Sequence, residues 1–304
     1  MPELPEVETV RRGLADRVVG RPISEVLIRR AGLRFPFPAD LESIAGTTIV
    51  GIRRRAKYLL LDLNDGRVLL SHLGMSGRYT LFRADEVPPA DPAPQVVGGG
   101  VPASRFGETT GFGGRHDHLE LIFVDGSRAV YTDPRRFGII DLFDAEGEAV
   151  HPLLKHLGPE PFPPWDSTAL ARVLAGRSVC IKSALLNQRV VVGVGNIYAC
   201  EALHRAGISP RRQSRTLVRK DGRPTARLTR LVEAIQDILA EAIEAGGSTL
   251  NDFASVEGDA GYFSQQFAVY AQEGKPCSAP GCARSVQRIV QSNRSTFFCS
   301  SCQR

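Results

Sequence analysis

Two cysteine pairs at the end of the chain, Cys277 and Cys282 in CSAPGC and Cys299 and Cys302 in CSSC, constrain the fold most tightly. Four thiolates spaced in this way can close one tetrahedral zinc site. The run between the pairs must then double back. VQRIVQSNRSTFF can do so as a β-hairpin that turns at Ser292 and Asn293, with Arg294 just past its tip. Two disulfides are the competing use of four cysteines, and a reducing compartment works against them. Four protein ligands leave no open coordination position, so the expected metal is structural. Cys180 and Cys200 lie in apolar or helical context and are expected as small buried hydrophobes.

The chain has 304 residues and 42% hydrophobic content, enough for a full core and most simply two domains. No apolar run approaches the roughly 20 residues that span a bilayer, and the acidic start lacks the basic and apolar regions of a signal peptide. A cytoplasmic location and a monomer are expected. The formal charge is +5, carried mainly by arginine; Lys57, Lys155, Lys182, Lys220 and Lys275 are the only lysines. Arginine suits bidentate phosphate contacts, so the charge fits a polyanionic partner, although a solvated basic surface would read the same way.

Along the chain, Val7, Val10, Leu14 and Val18 recur at helical spacing behind Pro5, with Glu6 and Glu8 in the first turn. From Ile49 to Phe82 the pattern is that of strands, with a turn at Asn64 to Gly66, and LELIFVDGSRAVYTD adds a hairpin turning at Asp125 and Gly126. The Pro- and Gly-rich stretch from Ala84 to Gly114 reads as a loop. Helical segments follow near Ser167 to Ala175, Asn196 to Ala206 and Arg227 to Ala245, which places a boundary near residue 150. The expected class is α+β, with domains at 1–148 and 149–262 and a zinc-finger hairpin at 268–304. In VVVGVGNIYA, Asn196 stands where it can cap a helix whose free N–H groups can hold a phosphate.

Taken together, PELPEVE, RRAKYLLL, HLGMSG, HDH, YTDPRRFG, LGPEP, VVGVGNIYA, GGSTLNDF, GYF and the terminal cysteines resemble the bacterial formamidopyrimidine-DNA glycosylase family, nearly end to end. The resemblance implies an N-terminal β-sandwich with a leading helix, a helical domain with a helix-two-turn-helix, and a zinc hairpin. It also implies an enzyme that removes oxidised purines, such as 8-oxoguanine and formamidopyrimidines, from double-stranded DNA and then cuts the strand. In that scheme Pro2, freed by loss of Met1, is the nucleophile. An α-amino group near pKa 8 is appreciably neutral at physiological pH, unlike an ordinary lysine. Glu3 is the acid and Glu6 its support; Lys57 serves the first elimination and Arg294 grips the lesion phosphate and serves the second.

The same resemblance makes Met75, Arg135 and Phe137 the side chains that fill the gap left by a flipped base, with Arg135 facing the orphaned partner. His116, Arg177 and Asn196 become DNA-backbone contacts, and GGSTLNDF with GYF flanks a mobile loop over the flipped base. Two departures stand out: four residues separate Cys277 from Cys282 where the family usually has two, and the Ala84–Gly114 excursion is longer than its usual connection. A sister family of endonuclease VIII type, directed at oxidised pyrimidines, shares the plan, but PELPEV favours the purine branch. A non-catalytic DNA-binding relative would have no need of Pro2, Glu3, Lys57 and Arg294 together.

Overall fold

The structure is a computed structural model that describes residues 2–85, 114–248 and 263–304. Helix α1 (Leu4–Val18) opens the chain, and its apolar stripe Val7, Val10, Leu14 and Val18 is buried. Among the described residues eight strands follow: β1 (Ile23–Ile28), β2 (Ile49–Arg55), β3 (Tyr58–Leu63), β4 (Arg67–His72), β5 (Arg78–Phe82), β6 (Asp117–Phe123), β7 (Arg128–Thr132) and β8 (Ile139–Asp144). They form two antiparallel sheets, ordered β1-β6-β7-β5 and β2-β3-β4-β8. Leu59, Leu61, Leu63, Leu119, Leu121 and Phe123 belong to the core that joins the two sheets and α1. Leu60, Val68 and Leu70, one residue out of phase, pack against Leu154 instead. The second sheet is therefore covered on both sides, which is why LLLDL lacks a clean alternation.

The sequence reading locates α1, β2 to β7 and both turns. It misses β1, whose burial is irregular around a register shift at Ile23/Glu25, and β8, whose IIDLFD follows no clear period.

The second half is helical: α2 (Ser167–Leu174), α3 (Ile181–Leu186), α4 (Asn196–Arg205) and α5 (Ala226–Glu244). Asp166 and Thr225 cap α2 and α5 by accepting the N–H groups of Ala169 and Leu228. Among the described α-helices, α3 has no signal in the sequence, being shorter than two turns. Strands β9 (Gln287–Gln291) and β10 (Arg294–Phe298) make the expected hairpin. Ser292 and Asn293 both have positive φ, at 49° and 58°, as a two-residue type I′ turn requires.

Helix α1 packs on β2 and on α5, so the start of the chain lies where the sandwich meets the helices. Among the described residues no helix is long and apolar enough to cross a membrane. Most of the Ala84–Gly114 excursion, and the segment proposed to cover a flipped base, lie outside the described residues.

Candidate active site

Glu3 is 3% exposed, and its carboxylate reaches across the molecule to the start of α4. It accepts the backbone N–H groups of Gly195 (2.8 Å), Ile197 (3.0 Å) and Tyr198 (3.4 Å). The positive end of that helix is thus taken by a carboxylate of the same chain. The N–H groups of Gly195, Ile197 and Tyr198 are therefore engaged by Glu3, which corrects the expectation that they are free to hold a phosphate. The capping role of Asn196 is corrected too: Gly195 is the N-cap, and the Asn196 side chain donates to the Ser295 carbonyl of the hairpin at 2.9 Å.

The glycines of GVG make this approach possible. A Cβ on Gly195 would lie 2.2 Å from the Glu3 carboxyl carbon, and one on Gly193 would lie 2.4 Å from the Leu4 side chain. The Leu4 N–H also donates to the Gly193 carbonyl at 3.1 Å. Burial pushes the Glu3 pKa up; the charge of Lys57 opposes this and that of Glu6 adds to it. Pro2, one residue earlier, is buried.

Glu6 closes a second ring of contacts. One carboxylate oxygen accepts the Glu3 N–H at 2.8 Å. The other accepts the Tyr198 hydroxyl at 2.6 Å and the Ser248 N–H and hydroxyl at 2.8 and 2.7 Å. The GGS of GGSTLNDF therefore grips Glu6.

Lys57 occupies the two-residue turn between β2 and β3 and is 7% exposed. Desolvation lowers its pKa, opposed by the charges of Glu3 and Glu6. It lines a cavity of about 270 Å³ together with Tyr58, His72, Gln188, Gly195 and Arg294. The hairpin turn thus delivers Arg294 to the same cleft as Lys57. Behind it, the fully buried Lys182 donates to the Ser295 carbonyl (3.2 Å) and the Thr296 hydroxyl (2.6 Å), fixing β10 to α3.

His72 and Gln188 were not singled out from the sequence. His72 belongs to HLGMSG, and its signal in the sequence is a polar residue ending a strand that runs toward the Lys57 turn. Burial, with the charges of Lys57 and Arg34 behind it, holds the His72 pKa down to about 4. Nδ1 accepts the Gly74 N–H at 3.0 Å, so the proton of the neutral ring is on Nε2. Gln188 accepts from the Gly193 N–H and donates to the Val194 carbonyl, shaping the loop that ends at Gly195.

Met75, Arg135 and Phe137 come together on two stacked turns. A Cβ on Gly74 would meet the Phe137 carbonyl carbon at 2.4 Å, and the Arg135 N–H donates to the Ser76 hydroxyl. Asp133 fastens both turns, accepting from Ser76 (2.6 Å) and the Gly138 N–H (2.8 Å). Phe137 is 46% exposed, Arg135 is exposed with its guanidinium 5.2 Å from the Phe137 ring centroid, and Met75 is half-buried. None of the three belongs to a hydrophobic core. The His116 carbonyl accepts the Asp133 N–H, which sets that residue beside the same turns. Arg177 lies apart, exposed in the α2–α3 connection.

The Sγ atoms of Cys277, Cys282, Cys299 and Cys302 all lie within 4.8 Å of one another, with separations of 3.9 Å (Cys277–Cys302) and 3.6 Å (Cys282–Cys299). Four sulfurs this close can hold a metal ion, and the wider first pair does not prevent it. Cys200 is buried as expected. Cys180 is only half-buried, and contacts Ser183 and the Gln291 amide, because it stands at the start of α3 against the hairpin.

Comparison with known proteins agrees with this geometry. Residues 1–140 match the family profile described as formamidopyrimidine-DNA glycosylase N-terminal domain, and residues 157–254 that of its H2TH domain. Curated relatives named formamidopyrimidine-DNA glycosylase, from Beijerinckia indica and Methylocella silvestris, are 47% and 48% identical over 306 residues, covering 100% of this chain and of each relative. Among solved structures, a Lactococcus lactis FPG mutant in complex with a Fapy-dG containing DNA aligns with TM-score 0.82 at 33% identity, covering 99% of both chains. The complex between the Lactococcus lactis Fpg and an abasic site containing DNA gives 0.81 at 32%, also over 99% of both. With a buried N-terminal acid on a helix start, a lysine and an arginine across one cleft, and these matches along its length, the chain belongs to the formamidopyrimidine-DNA glycosylase family.

Proposed function

We propose that the chain is a base-excision repair DNA glycosylase and abasic-site lyase acting on oxidised purines in double-stranded DNA. The observation that carries this reading is the convergence of the segment bearing Pro2 and Glu3, the Lys57 turn and Arg294 on one cleft. Once Met1 is removed, the Pro2 nitrogen attacks C1′ of the damaged nucleoside and the base leaves. The opened sugar and the secondary amine form an iminium cation, which acidifies C2′. Loss of that proton expels the 3′-phosphate, and a second elimination expels the 5′-phosphate.

Glu3, its pKa raised by burial, supplies a proton as the ring opens and the base departs. Glu6, itself held by Tyr198 and Ser248, accepts the Glu3 backbone N–H, so the nucleophile has one position. Lys57, its pKa lowered by burial, exchanges a proton in the first elimination. Arg294 and the Nε2–H of neutral His72 receive a phosphate oxygen in the cleft. Met75, half-buried, with Arg135 and Phe137, exposed, sit on paired turns and suit insertion into a duplex from which one base has been flipped. His116 beside the paired turns, Asn196 at the start of α4 and Arg177 further out supply contacts to the DNA backbone, so binding should weaken steeply with salt.

The four cysteines suit zinc: tetrahedral Zn–S bonds of about 2.3 Å put sulfurs about 3.8 Å apart, close to the separations of 3.9 and 3.6 Å seen here. Bound there, zinc would supply no chemistry to the reaction and would hold the base of the hairpin whose tip carries Arg294. Removing metal with a strong chelator is expected to lower DNA affinity at least about tenfold while α1 and the sandwich stay folded. Metal content, far-ultraviolet circular dichroism and a binding titration on one sample check this. A catalytic unit at 1–148, a helical unit at 149–262 and a cysteine hairpin at 268–304 complete the proposal; profile matches over residues 1–140 and 157–254 support the first two units, and the four-cysteine cluster with the β9–β10 hairpin supports the third. A cytoplasmic, monomeric enzyme is in keeping with the substrate.

Borohydride reduction of the protein with duplexes carrying 8-oxoguanine tests the reading as a whole. A covalent adduct through Pro2 is expected.

A further inference from the structure

Glu160, in the LGPEP segment between β8 and α2, faces three donors around the Lys57 turn. Its carboxylate accepts the Arg54 guanidinium (2.7 Å), the Arg55 guanidinium (2.9 Å) and the Ala56 backbone N–H (2.7 Å). Ala56 directly precedes Lys57 and sits at φ 55°, a conformation that favours glycine and persists only where its surroundings hold it. Ala56 is 1% exposed, so its N–H has no access to water in place of that carboxylate. Arg55 also donates to the carbonyls of Leu157 and Gly158, and Arg54 to the Ala56 carbonyl. Both arginines thus fold back over the turn.

The same short segment grips the opposite wall of the cleft. The Gly158 N–H donates to the Gln188 carbonyl at 2.8 Å, and the Val192 N–H to the Pro159 carbonyl at 3.0 Å. That loop runs directly into Gly193 and Gly195, against which Leu4 and Glu3 rest. On its other side Arg54, with a side chain 11% exposed, donates to Glu8 of α1 at 3.1 Å. Residues 158–160 therefore touch the Lys57 turn, the Gly195 loop and, through Arg54, the helix that follows Pro2 and Glu3.

We infer that Glu160 is a positioning residue that sets Lys57 against the N-terminal amine and Glu3, so that the lysine meets the iminium intermediate in register. This rests on the lyase reading of the site. Base removal needs Pro2 and Glu3, whose own contacts do not include Glu160. Elimination needs Lys57, which depends on it.

The test uses the full-length, metal-loaded protein with an abasic-site duplex, scoring adduct formation, DNA affinity and strand scission separately. Glu160→Ala should leave adduct formation and affinity within about threefold and slow scission about tenfold to a hundredfold, the cost of a misplaced group. Glu160→Gln, which still offers an oxygen to the Ala56 N–H, should recover most of that loss. Scission at the unaltered rate in Glu160→Ala would overturn the inference. So would an equal fall in all three quantities, which would mark a general structural role. A second readout needs no catalysis: labelling of Lys57 by an amine-reactive reagent should speed up at least about threefold in Glu160→Ala as the turn opens. Unchanged labelling counts against the inference even if the unaltered protein forms no adduct, an outcome that by itself overturns the lyase reading.

Discussion

Gly195→Ala is expected to cut base removal at least about a hundredfold, since an ångström-scale shift of a catalytic group costs that much. The backbone conformation does not demand glycine at this position: with φ −121° and ψ −158° it is extended, open to any residue. Space demands it. A Cβ would stand 2.2 Å from the Glu3 carboxyl carbon and 2.3 Å from one of its oxygens, and both partners are buried. Glu3 has no room to retreat, because its oxygens are already fixed by the N–H groups of residues 195, 197 and 198. The clash resolves by pushing the N-terminal segment away from α4, which moves Pro2 with it. Overpacking should also lower stability by about 1–3 kcal/mol. Gly147→Ala, where an added Cβ meets nothing within 4 Å, is the matched control and should change neither quantity. Single-turnover base release and denaturant midpoints on both variants check the pair.

Glu3→Gln should lower base removal by about 10²- to 10⁴-fold, the usual contribution of a positioned acid. Two effects act in the same direction. The amide has no transferable proton, and its NH₂ must face at least one of three backbone donors that a carboxylate accepts. The pH profile separates them. Burial raises the Glu3 pKa, so the acid form survives above the ordinary carboxylate range and is lost as pH rises through the raised value. Base release by the unaltered protein should therefore fall on the alkaline side of that value. In Glu3→Gln this limb should vanish, leaving a low rate with the same dependence as the remaining groups. If the variant kept the limb, another group would be the acid.

How far the sequence discloses the site depends on whether a residue's role is local. The Ser292–Asn293 turn and the cysteine set are local, and both were legible from spacing and turn chemistry. The amphipathic face of α1 was legible for the same reason. The partner of Glu3 was not, because nothing near residue 3 announces that its carboxylate will be held 192 residues away. GVGN read alone looks like a phosphate cradle, and only the arrival of α1 shows that Gly193 and Gly195 make room for Leu4 and Glu3. Likewise GGS, LGPEP and Lys182 act through contacts made across the fold. Met75 and Phe137 illustrate the converse: apolar residues beside strands look like core, and the turns that carry them leave Phe137 exposed and Met75 only half-buried.

Borohydride trapping on an 8-oxoguanine duplex tests most directly whether the N-terminal proline is the nucleophile. Protein shown by mass to lack Met1 should form one covalent DNA adduct whose attachment maps to Pro2, and protein retaining Met1 should form none. An adduct of equal yield from protein that keeps Met1, or attachment at Lys57 in place of Pro2, would contradict the account.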